Sequence, residues 1–90
     1  MSHSSMASMH SMAKIDRVRS CLIRAGLAHA PAGEWEELAA YGFDSLLAVL
    51  TVIELQKEFG IIISSRAIQP DSFRNLKRLS DLVPETSWKY

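Results

Sequence analysis

The residues best placed for chemistry lie in the hexapeptide Tyr41-Gly42-Phe43-Asp44-Ser45-Leu46. A carboxylate and a hydroxyl stand side by side where a long loop gives way to an apolar helical stretch, and Gly42 supplies a permissive backbone just ahead of them. This position suits phosphate chemistry. A helix N-terminus offers free backbone N–H groups and the positive end of the helix dipole, so a phosphodiester built on the Ser45 hydroxyl sits in a favourable field. A hydroxyl at the tip of a loop is also open to a modifying enzyme. Asp-Ser ahead of an apolar helix reads equally as an ordinary N-cap, and the tripeptide Asp-Ser-Leu does not decide between the two. No metal-ligand cluster, nucleophile triad or phosphate-cradling glycine loop is visible elsewhere, so catalysis by the chain itself is not expected. His29 has no partner at a recognisable spacing and reads as surface.

Helices separated by turn-forming residues must position that hexapeptide. From Ala13 onward Ile15, Val18, Leu22 and Ala25 recur on one helix face, with Lys14, Arg17 and Arg24 elsewhere on the cylinder and Gly26 as the stop. Cys21 adjoins the stripe and reads as a small buried hydrophobe. The stretch from Leu27 to Phe43, with Pro31 and Gly33, is long for a connection. Within it Glu34 to Tyr41 forms a short helical turn that places Trp35 and Leu38 on a shared side, with the Trp35 ring over the bundle.

The second helix, Ser45 to Phe59, has more apolar circumference than one core contact requires. Ala48, Val52, Leu55 and Phe59 form one stripe with Thr51 beside it, and Leu46, Leu47, Leu50 and Ile53 lie on or near another side. Burying every face is difficult in so small a domain, so Leu47 and Leu50 are read as docking residues. Gly60 ends the helix and Ile61-Ile62-Ile63 runs extended across the core. Ser64 or Ser65 caps a short turn through Ile68 that Pro70 closes. Asp71 or Ser72 caps the last helix, whose Phe73, Leu76, Leu79 (or Ser80) and Val83 face inward until Pro84. Arg74, Lys77 and Arg78 form a basic strip, read first as a solvated face and second as a partner contact. The expected fold is all-α, a bundle of three main helices and one short helix with a long first loop.

Composition narrows the function classes. Ninety residues make one small domain, and 48% apolar with 22% charged residues exclude a disordered tail and a disulfide-stapled scaffold. Ten basic residues balance ten acidic ones, which argues against a dedicated nucleic-acid or anionic-membrane binder. The layout is nevertheless uneven. Lys14, Arg17, Arg19 and Arg24 make the first helix basic, whereas Glu34, Glu36, Glu37, Asp44, Glu54 and Glu58 outweigh Lys57 in the middle of the chain. A single cysteine suits a reducing compartment, so a cytoplasmic location is expected. No apolar run approaches the roughly 20 residues of a membrane span. Residues 1–12 read as a disordered or vector-derived tail, 13–84 as the domain, and 85–90, with Trp88, as a flexible end.

Leu38, Gly42-Phe43-Asp44-Ser45-Leu46, Glu58-Phe59-Gly60-Ile61, the run from Ile68-Gln69-Pro70 to Leu76, and Leu82-Val83 together resemble an acyl carrier protein. The likeness extends from about Ile15 to Val83, with its elements in the expected order. It implies a four-helix carrier fold in which the serine of Asp-Ser-Leu, here Ser45, accepts 4′-phosphopantetheine from coenzyme A. A separate phosphopantetheinyl transferase catalyses that magnesium-dependent step, and Asp44 by analogy helps engage the transferase and its metal. The chain would then hold acyl groups as thioesters, as a stand-alone, monomeric, non-enzymatic carrier serving a loading enzyme and downstream synthase or transferase enzymes. Leu46, Leu47, Leu50 and Ile53 would make the docking contact, and contact with the arm or cargo is the alternative to packing of Trp35 over the bundle.

Departures from the family's usual pattern refine the expectation. Leu50, Gln56 and Lys57 stand where carriers of fatty-acid synthesis usually have acids, and Arg66 stands where many relatives have Pro or acidic residues. A specialised pathway, polyketide or other secondary metabolism, fits better than housekeeping fatty-acid synthesis. An aminoacyl or peptidyl carrier is the rival within the family, although only one glycine precedes the Ser45 motif. From another class, an unmodified helical interaction module remains the alternative.

Overall fold

The computed structural model describes residues 3–84, with side chains from Lys14 onward, and among these residues every regular element is helical. Three α-helices, α1 (His3–Ala25), α2 (Ser45–Phe59) and α3 (Leu76–Ser80), are joined by 3-10 turns at Leu38–Tyr41, Ser65–Ala67 and Pro70–Phe73. The all-α bundle agrees with the expectation. The end over residues 85–90 lies outside the described residues. The backbone of α1 is helical from His3, ahead of the Ala13 start that the apolar stripe gives. Met and Ala favour helix, and the tract contains neither Pro nor Gly to stop it.

The core forms where α1, α2 and α3 meet. Val18, Cys21, Leu22 and Ala25 of α1 are buried, as their spacing requires, and Leu27, Leu38, Leu55, Phe59, Ile63, Leu76, Leu79 and Val83 complete the cluster. Burial raises the Cys21 thiol to a pKa of about 11, only partly countered by Arg24, so it stays protonated and inert at neutral pH. The buried line of α2 is Thr51, Leu55 and Phe59, one residue round from the expected stripe; Ala48 and Val52 are only half-buried. Thr51 therefore sits at the centre of the contact rather than beside it. Its Oγ1 is fully buried without a hydrogen-bond partner. Since an orphaned buried hydroxyl costs about 1–3 kcal/mol, Thr51→Val is expected to stabilise the fold by about 1 kcal/mol. A urea midpoint that failed to rise would mean that the hydroxyl has a partner.

Two acids from the middle of the chain, Glu54 and Glu58, pair across the α1–α2 contact. Arg17 Nε donates to Glu58 Oε2 at 2.8 Å, while Arg24 donates to Glu54 Oε1 at 3.0 Å and to Glu58 Oε1 at 2.9 Å. The Arg17 guanidinium also lies 4.4 Å from the centre of the Phe59 ring. The hydrogen bond from Arg17 holds the Glu58 carboxyl below its ordinary range, against a smaller opposing effect of burial. A carboxylate depressed in this way stabilises the fold above its unfolded pKa, and that contribution disappears as pH falls through the folded value. Stability is expected to drop on acidification below about pH 4, the ordinary Glu range, and Glu58→Gln should flatten that part of the profile in urea titrations. An unchanged profile would assign the loss to other carboxylates.

Lys14 lies off the apolar stripe in sequence but is buried in the fold. It is only 8% exposed, and its Nζ donates to the Val83 carbonyl at 2.9 Å. The end of the domain folds back over α1, so the aliphatic stem is covered while the ammonium reaches a carbonyl.

The last helix is shorter than expected and starts later. Pro70 opens a 3-10 turn instead of closing one, and Asn75, not Asp71 or Ser72, caps α3 by accepting the Arg78 amide at 2.9 Å. The expected short turn is a 3-10 turn capped by Ser64 and ending at Ile68, and the Pro70–Phe73 turn follows it. Arg74, Lys77 and Arg78 stand on the surface, paired with Glu37, Asp71 and Asp81. Exposed pairs of this kind contribute little, which agrees with a solvated face.

Candidate functional site

The site begins with the way the long loop is pinned. Leu38 is fully buried, its amide donates to the Arg74 carbonyl at 2.8 Å, and Lys77 N donates back to the Glu34 carbonyl at 3.0 Å. Arg19 holds the earlier part of the loop through the Pro31 and Ala32 carbonyls, both at 3.1 Å. Glu36 closes the intervening turn by accepting from the Gly33 amide at 2.8 Å and from the Tyr41 hydroxyl. These bonds hold the Glu36 carboxyl below its usual range, the Tyr41 contact first, and the same contact raises the Tyr41 phenol.

Trp35 does not cover the bundle. It is 63% exposed while Leu38 is buried, because the two backbone bonds that flank it fix the loop with Leu38 inward. His29 is exposed, as expected.

Gly42 then turns the chain into α2. Its φ of +85° lies in the left-handed region, with nothing near the place a Cβ would occupy, so the demand for glycine there comes from the backbone alone. Asp44 is the N-cap: its backbone is extended and its Oδ1 accepts the Leu47 amide at 2.9 Å. Ser45 is the first residue of the helix. Both side chains are exposed. The cap satisfies one of the intrinsically unpartnered amides of the first turn, and those of Ser45 and Leu46 stand at the same positive end.

A phosphodiester on Ser45 fits this geometry. The hydroxyl is accessible, it takes no part in the cap, and it stands where the helix dipole favours negative charge. Beside it Phe43, Asp44, Ser45, Ala48 and Phe73 line a cleft of about 290 Å³. The Phe43 and Phe73 rings stack with centroids 5.9 Å apart and an interplanar angle of 28°. The sequence does not show this cleft, because the spacing places Phe73 in the core and gives Phe43 no role of its own.

The structure separates the four candidate docking residues. Leu46 and Ile53 are 66% and 44% exposed, and Leu47 and Leu50 are half-buried, Leu47 packed against the core. The reason is the helical period, which puts Leu47 in line with Thr51, Leu55 and Phe59 at steps of four residues. Gly26 allows this, because a Cβ there would come within 3.3 Å of Leu47 Cδ2. Val49, 59% exposed, joins the outer face, although it belongs to neither apolar set in the sequence pattern.

No group of His, Cys, Asp or Glu among the described residues is arranged to hold a metal ion, and none of their helices is long and apolar enough to cross a membrane. A family model described as "Phosphopantetheine attachment site" matches residues 16–83. No curated protein and no solved structure matches the chain.

Proposed function

Because the chain belongs to the phosphopantetheine-attachment family and such a domain carries 4′-phosphopantetheine covalently, we propose that Ser45 is the attachment residue of an acyl carrier. The observation that carries this reading is the exposed Ser45 hydroxyl at the first position of α2, beside a cap that Asp44 alone supplies. Ser45 Oγ attacks the phosphorus nearest the pantetheine unit of coenzyme A. The new Ser–O–P bond replaces the bond to the adenosine-bearing phosphate, which leaves, and the hydroxyl proton passes to the transferase. Asp44 stands beside the reacting hydroxyl, where its free oxygen can face the transferase and its magnesium. When bound, the arm supplies a thiol that holds cargo as a thioester. The domain itself presents that cargo and does not act on it.

The outer face of α2 is proposed to meet the partner enzymes through Leu46, Val49, Leu50 and Ile53. Glu54 and Glu58 are held by Arg24 and Arg17, so this face offers apolar side chains rather than free carboxylates, and the complementary partner has an apolar groove. The same feature supports a specialised pathway, polyketide or other secondary metabolism.

The test is incubation with coenzyme A, magnesium and a broad-specificity phosphopantetheinyl transferase, followed by intact-protein mass measurement. One arm is expected per chain, and no gain in mass would leave an unmodified helical module instead. Loading of the product by acyl-activating against amino-acid-activating enzymes then separates the acyl carrier from an aminoacyl one.

A further inference from the structure

The cleft beside Ser45 has a composition that capping does not require. Asp44 and Ser45 stand at its edge, while Phe43, Phe73 and Ala48 form its wall. The two rings come from different parts of the fold, Phe43 from the end of the long loop and Phe73 from the end of the Pro70–Phe73 turn, and both stay half-buried while packing against the core. Their stacking leaves apolar surface open immediately next to the hydroxyl.

Size limits the occupant. About 290 Å³ falls just short of the range of roughly 300–1,000 Å³ for pockets that enclose a drug-sized ligand, so the cleft takes one piece of a molecule. The chemistry of the arm selects the piece. After the phosphodiester comes a branched carbon bearing two methyl groups, and the segments beyond it carry two amides whose polar groups are better satisfied by water. The doubly methylated unit is thus the apolar part closest to Ser45, and a wall next to the attachment oxygen meets it first. Cargo at the distal thiol would have to fold the arm back to compete for the same surface.

We infer that the Phe43–Phe73 stack and Ala48 form a seat for the branched, doubly methylated segment of a phosphopantetheine arm on Ser45. This inference rests on the attachment reading above. The seat restrains the proximal part of the arm while the amides and thiol remain in solvent, so the cargo end is presented from a fixed direction. Because the wall joins the loop to the 3-10 turn, occupation also links those two segments across the face of the domain.

Proton NMR of the intact chain, before and after arm transfer, tests this. Mass measurement on the same sample establishes whether Ser45 has been modified, so failure of attachment is distinguished from failure of the seat. In the modified protein the two methyl signals should move upfield through the ring currents and show nuclear Overhauser contacts to the Phe43 and Phe73 ring protons. Phe43→Leu retains an apolar side chain for packing and should weaken the ring-current shift while attachment proceeds. Methyl signals at the positions of free pantetheine, with no ring contacts, would overturn the inference. Ring contacts from the protons of a loaded acyl group, with none from the methyls, would also overturn it by assigning the cleft to cargo.

Discussion

Ser45→Ala is expected to abolish arm transfer completely while leaving the fold intact, as read by intact mass and by urea denaturation of the same variant. The two outcomes separate because the structure divides the work at the start of α2. Asp44 supplies the cap, through its bond to the Leu47 amide at 2.9 Å, and the Ser45 hydroxyl supplies nothing to it. Alanine is also the better helix former at an exposed first position. The change in stability should therefore stay within about 0.5 kcal/mol, as for other surface substitutions. Removing Oγ removes the only atom at this position that can form the phosphodiester, so the loss is of kind rather than degree. Labelling that survived in Ser45→Ala would move the attachment to another exposed serine, such as Ser64 or Ser65. Loss of labelling together with unfolding would mean that the hydroxyl belongs to the structure of the helix start.

The geometry of the candidate site is legible in the sequence because its determinants are local. Gly42, Asp44 and Ser45 are consecutive turn and cap positions, and the left-handed φ of Gly42 and the Asp44 bond need only a few residues to form. Facing along α1 was legible for a similar reason, since Val18, Leu22 and Ala25 repeat with the helix. What the sequence did not show depends on contacts far along the chain. Leu47 and Leu50 both read as surplus apolar residues and both are half-buried, but Leu47 packs against the core, with Gly26 leaving room beside it. Trp35 faces outward because the bonds from Leu38 to Arg74 and from Lys77 to Glu34 fix the loop. The sequence shows the excess of acid in the middle of the chain but not that Glu54 and Glu58 are engaged by α1. The Phe43–Phe73 stack joins residues thirty positions apart, and neither residue type announces the pairing.

Leu55→Ala is the second large effect expected, and it measures how little reserve the bundle has. Leu55 is fully buried on the line with Thr51 and Phe59. Truncating such a leucine costs about 2–5 kcal/mol, the spread reflecting how far the surroundings collapse into the space. At about 0.05–0.15 kcal/mol per residue, a domain of this size has only several kcal/mol in total. The variant should therefore show a large fall in urea midpoint and a substantial unfolded population near room temperature. Ile53→Ala on the same helix, at a position 44% exposed, should shift the midpoint far less. Equal losses at the two positions would contradict the assignment of inner and outer faces. Thr51→Val lies one turn away and acts in the opposite direction, but it shares neighbours with Leu55, so the two effects should not add. The double variant is expected to recover less than the single Thr51→Val gain, because a cavity at residue 55 removes the packing against which the new methyl would be buried.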